Sequence, residues 1–315
     1  MVRLVVLVAA LLATAVACGN GEAAQPTSAP VDFWDTAPQN DQQYWEVYKR
    51  ARAIEPCALI PRAELAKLGT VRSVVVTGPE SCAAQLDSAK LGGSVRAQWR
   101  ALAGTVEENG RVGTTKRIED TTATVVADKD TRADKQVPAG ERACTVSAKF
   151  PAHAGVSLAV TVPGGVEPCP VAETLTRTAV LAWKQQLRQD DPYPTVHTVL
   201  NGADPCAVTA HLGVTVKPDR QQLYVCALPY GGTEYAVLYE YQAQRAIENG
   251  IPIQIGDRTV FRHESNGAVY FEAQVGPPFA DGEDGPQVPA VWVGGKDEQS
   301  LGQIMYQLLG MFPSW

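Results

Sequence analysis

The segment Ile54-Glu55-Pro56-Cys57-Ala58-Leu59 recurs in altered form as Ala203-Asp204-Pro205-Cys206-Ala207-Val208. Each copy has an acidic residue, then Pro-Cys-Ala and an apolar residue, and each runs on to a Leu-Gly pair. A second cysteine follows, at Cys82 in the first copy and at Cys226 in the second. Because a recurring order of motifs indicates a recurring supersecondary unit, the sequence predicts two related units in tandem.

Strand patterns follow the second cysteine of both units. Apolar side chains recur at every second position, as in a strand with one buried face, in the sets Val95, Ala97, Trp99, Ala101 and Tyr235, Val237, Tyr239, Tyr241. Residues 143–150 align with 268–275 in the same way, and 159–165 align with 290–295. We therefore expect an antiparallel sheet in each unit.

A helix is predicted to close each unit. In the second, one apolar stripe at helical spacing comprises Leu301, Ile304, Met305, Leu308, Leu309 and Phe312, with Asp297 placed as N-cap. The equivalent stripe in the first unit comprises Leu175, Ala179, Ala182, Trp183 and Leu187. The predicted fold class is α+β, with two tandem units, each an antiparallel sheet with flanking helices, stapled by disulfides.

The repeat also predicts the disulfide pairing. Six cysteines besides Cys18 allow fifteen pairings. The second unit keeps only the pair Cys206 and Cys226, which matches Cys57 and Cys82, whereas Val269 replaces Cys144 and the segment around Cys169 is shortened. Cysteines lost together are expected to be bonded together, so the predicted bonds are Cys57–Cys82, Cys144–Cys169 and Cys206–Cys226.

The N-terminal segment predicts export. It contains one basic residue, Arg3, and then thirteen uncharged residues from Leu4 to Val16, a pattern typical of a secretory signal. Thirteen residues are too few for a membrane-spanning helix, which needs about 20. The end of the segment, Ala17-Cys18, resembles the lipobox of bacterial lipoproteins. That resemblance implies that the thiol of Cys18 is acylated and that it anchors the protein to the outer face of the cytoplasmic membrane.

Composition and length suggest five segments. We predict a signal peptide over 1–17, a lipidated tether over 18–43, a first unit over 44–190, a linker over 191–202 and a second unit over 203–315. Removing Arg3 with the signal peptide changes the formal charge from -7 to -8. An acidic chain without a basic cluster is not expected to bind nucleic acid. Since it also lacks a Lys/Arg cluster for anionic lipid headgroups, the lipid anchor alone is expected to provide membrane attachment.

The order of these motifs resembles a family. An acidic residue before Pro-Cys-Ala-Leu, a helix ending in Leu-Gly, a later cysteine and a closing Cys-x-x-Ala-x-x-Leu helix look like small actinobacterial lipoproteins that contain a domain of unknown function. The same order is more distantly similar to the extracellular sensor domains of mycobacterial membrane kinases. The likeness covers residues 54–187 well and 203–312 in part, and it implies a cell-envelope location and no established catalysis.

No catalytic or metal-binding motif is found. The four histidines are scattered, and none lies in a recognised catalytic arrangement. The acidic pairs Glu107/Glu108, Glu119/Asp120 and Asp190/Asp191 are expected to be solvated, and the loop 277–286 lacks EF-hand spacing. We therefore expect no cofactor, no metal and no enzymatic activity.

Aromatic residues suggest a binding surface in the second unit. Most of its tyrosines are expected to pack in the core, but Tyr270 alternates with Glu272 on the polar side of its strand. We predict a ligand site that includes Tyr270, Glu272 and Tyr193, in a groove at the junction of the units. The predicted function is non-catalytic binding, sensing or scaffolding in the envelope, with a protein, glycan or lipid ligand. The alternatives are a hydrolase or transferase acting on wall polymers, or a lipid carrier.

Overall fold

The computed structural model describes residues 33–104, 113–130, 140–187, 196–265, 267–282 and 285–314. They form two seven-stranded antiparallel sheets with six α-helices, so the predicted α+β class is confirmed. The alternating apolar positions of the sequence are the buried faces of central strands. Residues Tyr235, Tyr239 and Tyr241, for example, are 3%, 1% and 8% exposed.

The first unit contains three helices and seven strands. The helices are α1 (Asp41–Arg52), α2 (Arg62–Ala66) and α3 (Pro168–Gln185). The strands are β1 (Thr70–Gly78), β2 (Ser81–Ser88), β3 (Gly93–Ala103), β4 (Thr114–Ile118), β5 (Thr121–Ala127), β6 (Glu141–Lys149) and β7 (Ala154–Pro163).

The second unit is built in the same way. Its helices are α4 (Val208–Leu212), α5 (Gln244–Glu248) and α6 (Glu298–Leu309). Its strands are β8 (Val225–Tyr230), β9 (Thr233–Ala243), β10 (Ile251–Ile255), β11 (Arg258–Ser265), β12 (Ala268–Gln274), β13 (Ala280–Gly282) and β14 (Gly285–Gly295).

The two sheets share one strand order. The first runs β1-β2-β3-β7-β6-β5-β4 and the second runs β8-β9-β14-β12-β11-β10, with β13 paired to β14 outside this path. Six strands therefore correspond one to one, and β1 has no counterpart among the described residues. Strands β6 and β12 hold equivalent places in the two sheets, as the sequence alignment of 143–150 with 268–275 predicts.

The acidic residue before Pro-Cys-Ala has a local structural role. In both units Pro-Cys-Ala forms a short 3₁₀ helix, and the preceding carboxylate accepts a hydrogen bond from the cysteine amide, from Cys57 to Glu55 at 3.1 Å and from Cys206 to Asp204 at 3.0 Å. These caps satisfy amides that the helix itself leaves unpaired. The three disulfides have the predicted pairing, which is confirmed: Cys57–Cys82, Cys144–Cys169 and Cys206–Cys226.

The globular body begins earlier than we predicted. Trp34 is 1% exposed, and its ring lies 5.3 Å from the ring of Trp183 on α3. Helix α1 begins at Asp41, with Asn40 as its N-cap. The tether predicted over 18–43 is thus corrected at its C-terminal end, since residues from Phe33 onward pack on the first unit. Composition alone did not reveal this, because the segment is mostly polar and its attachment depends on the burial of one large side chain, the indole of Trp34.

The two units share one continuous hydrophobic core. The Tyr48 hydroxyl of α1 lies 2.6 Å from the Gln221 carbonyl oxygen and 2.9 Å from that of Pro218, both in the second unit. Gly104 faces the same contact with φ +94°, and a Cβ there would overlap the Tyr48 hydroxyl. The described part of the junction is therefore filled by packed side chains, where we had expected a groove.

No helix in the described part of the chain combines the length and the apolar character needed to span a bilayer.

Candidate functional site

The structure places two of the predicted ligand-binding residues on one face. Tyr270 and Glu272 lie on the face of the second sheet that is turned away from α6, which we call the outer face. Tyr270 is half-buried and Glu272 is 3% exposed. Tyr193, the predicted third member, and Cys18, the predicted lipidation site, both lie outside the described residues.

Aromatic rings form a row across three strands of this outer face. The rings of His263 on β11 and Tyr270 on β12 stack with centroids 4.8 Å apart, and Trp292 on β14 lies 5.3 Å from Tyr270. The indole covers Gly294, where a Cβ would overlap it. At the aligned positions of the first sheet, Thr145 and Thr161 replace the tyrosine and the tryptophan. The aromatic row is therefore a feature of the second unit.

A buried carboxyl, that of Glu272, lies close to the imidazole of this row. The Nε2 atom of His263 lies 3.3 Å from the Oε2 atom of Glu272, but neither this nitrogen nor the other carboxylate oxygen, Oε1, has a hydrogen-bond partner among the described residues. Burial, together with the negative charge of Glu240, raises the pKa of Glu272 to about 7. Burial lowers the pKa of His263. Both shifts disfavour the charged form of the group concerned.

The burial of Glu272 limits what this surface can do. A ligand resting on Tyr270 and Trp292 would contact rings, whereas the Glu272 carboxyl lies beneath them with almost no exposed area. Helix α5 covers the adjacent part of the same face through Ile247, which packs with Phe261, Val288 and Ala290. Glu272 is thus a buried partner of His263 and not a surface ligand group.

An open groove of about 570 Å³ lies on the other side of the second sheet, along α6. Its floor is one stripe of that helix, at i, i+3, i+4, i+7 and i+8, made by Gln299, Gly302, Gln303, Tyr306 and Gln307. The walls are the end of α4 with Tyr230 on one side and β10 on the other, namely His211, Leu212, Tyr230, Gln254 and Ile255. We call these ten residues the amide groove.

A hydrogen bond fixes one side chain at each wall of the amide groove. Tyr230 donates a hydrogen bond to the Gln303 side-chain oxygen at 2.9 Å, and the Gln254 amide donates to Thr259 at 2.9 Å. The side-chain amides of Gln299 and Gln307 have no hydrogen-bond partner among the described residues. Tyr306 is 58% exposed, an unusual exposure for an aromatic ring. The groove thus presents free amides and an exposed ring to solvent.

The lining is uncharged. Among the ten residues there is no Asp, Glu, Lys or Arg, and also no Ser, Thr or Cys. The groove therefore lacks the carboxylate pair of a glycosidase and the nucleophile of an acyl transferase. Its chemistry is hydrogen bonding by amides and by the imidazole of His211, together with contact by tyrosine rings.

Other acidic candidates are engaged at the surface. Glu119 pairs with Arg177 at 3.1 Å, and Asp120 pairs with Lys184. The pairs Glu107/Glu108 and Asp190/Asp191 lie outside the described residues, as do Glu283 and Asp284 of the loop considered for calcium. In the part of the chain that the structure describes, no group of three or more His, Cys, Asp or Glu residues is arranged to hold a metal.

Sequence reasoning missed the amide groove and the role of His263. The glutamines at 299, 303 and 307 recur every four residues opposite the apolar stripe of α6, and this periodicity was a visible signal. His263 gave no such signal, because its approach to Glu272 depends on the pairing of β11 with β12.

Comparisons with protein-family models, with curated proteins and with solved structures found no match to this chain.

Proposed function

We propose that the protein is a lipid-anchored, non-catalytic binding protein of the cell envelope, and that it holds its ligand in the amide groove. The anchor is Cys18, at the outer face of the cytoplasmic membrane. The lipobox-like N-terminal segment supports this location, as do the three disulfides, which persist in oxidising compartments. The resemblance to actinobacterial envelope lipoproteins is part of the same proposal.

One observation carries the binding function: an open groove with exposed hydrogen-bonding groups, in which the imidazole of His211 has no carboxylate and no Ser, Thr or Cys nucleophile beside it in the lining. Ligand sites in proteins are concave surfaces with a few convergent polar groups and aromatic contacts. The groove has both, and its lining contains neither the carboxylate pair of a glycosidase nor a Ser, Thr or Cys nucleophile to act with the imidazole of His211. Binding therefore accounts for its residues better than catalysis does.

A hydrolase of wall polymers is the second candidate. This candidate is favoured by the carboxyl of Glu272, because burial and the negative charge of Glu240 raise its pKa to about 7. A carboxyl with such a pKa suits a general acid. The candidate is disfavoured by the burial of that carboxyl at 3% exposure, which keeps a substrate from reaching it. A lipid carrier would need a closed apolar cavity, and the amide groove is neither closed nor apolar.

The anchor is tested by fractionation of cells that express the full chain. We expect the unmodified protein in the membrane fraction, with an intact mass that includes acyl chains, and Cys18→Ala in the soluble fraction. If Cys18→Ala remains in the membrane fraction to the same extent, the proposed attachment is wrong.

The groove is tested with immobilised full-length protein and an unfractionated, solubilised envelope extract. Mass spectrometry measures the retained carbohydrate, lipid and peptide. We expect Gly302→Glu, which fills the middle of the groove floor, to lose the retained material, and Gly302→Ala to keep it. Equal retention by both variants would contradict the proposal. New reducing ends that the unmodified protein generates and Glu272→Gln does not would establish the hydrolase instead.

A further inference from the structure

The two units differ where α6 and its counterpart α3 face the neighbouring edge strand. Helix α3 buries Ala172, Leu175, Thr176 and Ala179, in the same spacing as Leu301, Ile304, Met305 and Leu308 of α6. Strand β4 corresponds to β10 by its place at the sheet edge. Each edge strand ends in a turn residue with positive φ, Glu119 at 49° and Gly256 at 63°. These matches align Glu173 with Gly302 and Arg177 with Tyr306.

In the first unit, ion pairs close this space. The Lys116 amine of β4 lies 2.6 Å from a Glu173 carboxylate oxygen of α3, and Arg177 lies 3.1 Å from Glu119. Charged side chains thus bridge the helix to the edge strand at two positions. Four charged side chains, joined in two ion pairs, therefore occupy this surface.

In the second unit, all four charged positions are uncharged. Gly302 stands in place of Glu173, Tyr306 in place of Arg177 and Gly256 in place of Glu119, and Ile253 takes the position of Lys116. The Tyr306 ring leans on the turn, since a Cβ built on Gly256 would lie 3.3 Å from it. The same framework therefore carries an ion-paired surface in one copy and an open, neutral groove in the other.

We infer that the amide groove binds a neutral oligosaccharide; this inference rests on the proposed function. Primary amides both donate and accept hydrogen bonds, as hydroxyl groups do, so Gln299, Gln303 and Gln307 match a polyhydroxylated chain. The exposed Tyr306 ring offers an apolar face with a polar edge, which suits the C–H face of a sugar ring.

Other ligand chemistries fit the groove less well. A strongly anionic or cationic ligand would lose hydration and find no Lys, Arg, Asp or Glu in the lining, where His211 supplies the single imidazole. A peptide would need apolar pockets for its side chains, and only Leu212 and Ile255 contribute aliphatic surface. A neutral glycan requires neither charges nor deep pockets.

The test uses full-length protein in detergent and purified cell wall hydrolysed with mild acid. Anion exchange separates the hydrolysate into a neutral and an acidic oligosaccharide fraction, and wall peptides form a third probe. Saturation-transfer NMR and calorimetry measure binding. We expect binding of the neutral fraction to be unchanged when NaCl is raised from about 0.05 to about 0.5 M, because no charges pair.

Matched variants locate the site. We expect Tyr306→Ala to weaken binding of the neutral fraction about tenfold and Tyr306→Phe to weaken it less than about threefold, since the ring supplies most of the contact. Gly302→Glu should abolish binding and Gly302→Ala should keep it. Folding of each variant is checked by thermal unfolding. A Cβ on Gly302 meets only Phe271, at 4.0 Å, so neither variant at this position is expected to disrupt the core.

The outcomes separate the ligand class from the function. If the acidic or the peptide fraction binds and Gly302→Glu abolishes that binding, the neutral-glycan inference is overturned and the binding function stands. If no fraction binds in a way that depends on Gly302, both the inference and the proposed role of the groove are overturned.

Discussion

The fold raises the pKa of one side chain, the carboxyl of Glu272. An ordinary glutamate is charged at neutral pH, but Glu272 is buried next to His263, with Glu240 as its nearest acidic influence. Burial and the negative charge of Glu240 therefore favour the protonated carboxyl in the folded state. Its pKa in the folded protein, about 7, exceeds the ordinary value of 4.5.

This difference predicts a pH dependence of stability. Since folding raises the pKa, the protonated carboxyl contributes fully to the free energy of unfolding below pH 4.5. This contribution, about 3 kcal/mol, is lost as the pH rises through about 7. Glu272→Gln, which stays neutral, should be more stable than the unmodified protein by about 2–3 kcal/mol at pH 8 and similar to it in acid. Urea unfolding at several pH values measures this.

The control for this prediction is Glu264→Gln. Glu264 lies on β11, which pairs with the strand of Glu272, but its side chain is 60% exposed and lies beside Arg262. The control variant should leave the pH profile unchanged. If Glu272→Gln and the unmodified protein show parallel stability curves from acid to alkaline pH, the carboxyl is not the titrating group.

At the scale of elements, the disulfides tie the start of each unit to its sheet. Cys57–Cys82 joins the first Pro-Cys-Ala turn to β2, Cys206–Cys226 joins the second to the corresponding strand β8, and Cys144–Cys169 joins β6 to the start of α3. The second unit has Val269 in place of Cys144 and still forms the corresponding strand. The sheet therefore does not require this bond for its topology, and the bond contributes stability.

The contribution can be measured by giving the first unit the residue of the second. We expect Cys144→Val combined with Cys169→Ala to fold, and to lower the free energy of unfolding by about 3 kcal/mol, because a loop of 25 residues is no longer closed in the unfolded chain. Urea unfolding under non-reducing conditions tests this. Peptide mapping of the variant should still show the other two bonds; a new pairing among the remaining cysteines would contradict the repeat-based assignment.

At the scale of the whole molecule, the units behave as one packed body along α1. Arg52 of that helix, 5% exposed, pairs with Asp204 of the second unit at 3.1 Å, close to where Tyr48 meets Gln221. Gly104 lies against that contact, and its missing side chain is what lets the second unit approach. Because the hydrophobic cluster is continuous across the junction, we expect the units to unfold together.

Gly104→Ala tests this coupling. A Cβ there would overlap the Tyr48 hydroxyl and the Gln221 carbonyl oxygen, so the variant should lose at least about 2 kcal/mol of stability and show two calorimetric transitions in place of one. Gly92→Ala is the matched control: its φ is also positive, at 76°, but nothing lies within 4 Å of the added Cβ. It should cost about 1 kcal/mol and keep a single transition. Equal losses in both variants would show that backbone strain, and not the junction, is responsible.

Local patterns in the sequence were sufficient for the duplicated framework. The Pro-Cys-Ala turns, the alternating strands, the Asp297 cap and the disulfide pairing all follow from residues close together in the chain or from comparing one copy with the other. Each rests on a period or a cap that short-range sterics and hydrogen bonding impose. The start of the globular body at Phe33 did not follow, since Trp34 gains its burial from α3, far along the chain.

The candidate binding surface depends on tertiary structure. The amide groove joins residues from 211 to 307 on four elements, each ordinary in its own segment, and only the packing of α6 between α4 and β10 brings them together. The raised pKa of Glu272 likewise depends on tertiary contacts, namely the burial of its carboxyl and the negative charge of Glu240 on β9. The physical reason is range: turns, strands and helices are specified by neighbours a few residues away, whereas concavity, burial and the pKa of a buried acid depend on contacts between distant segments.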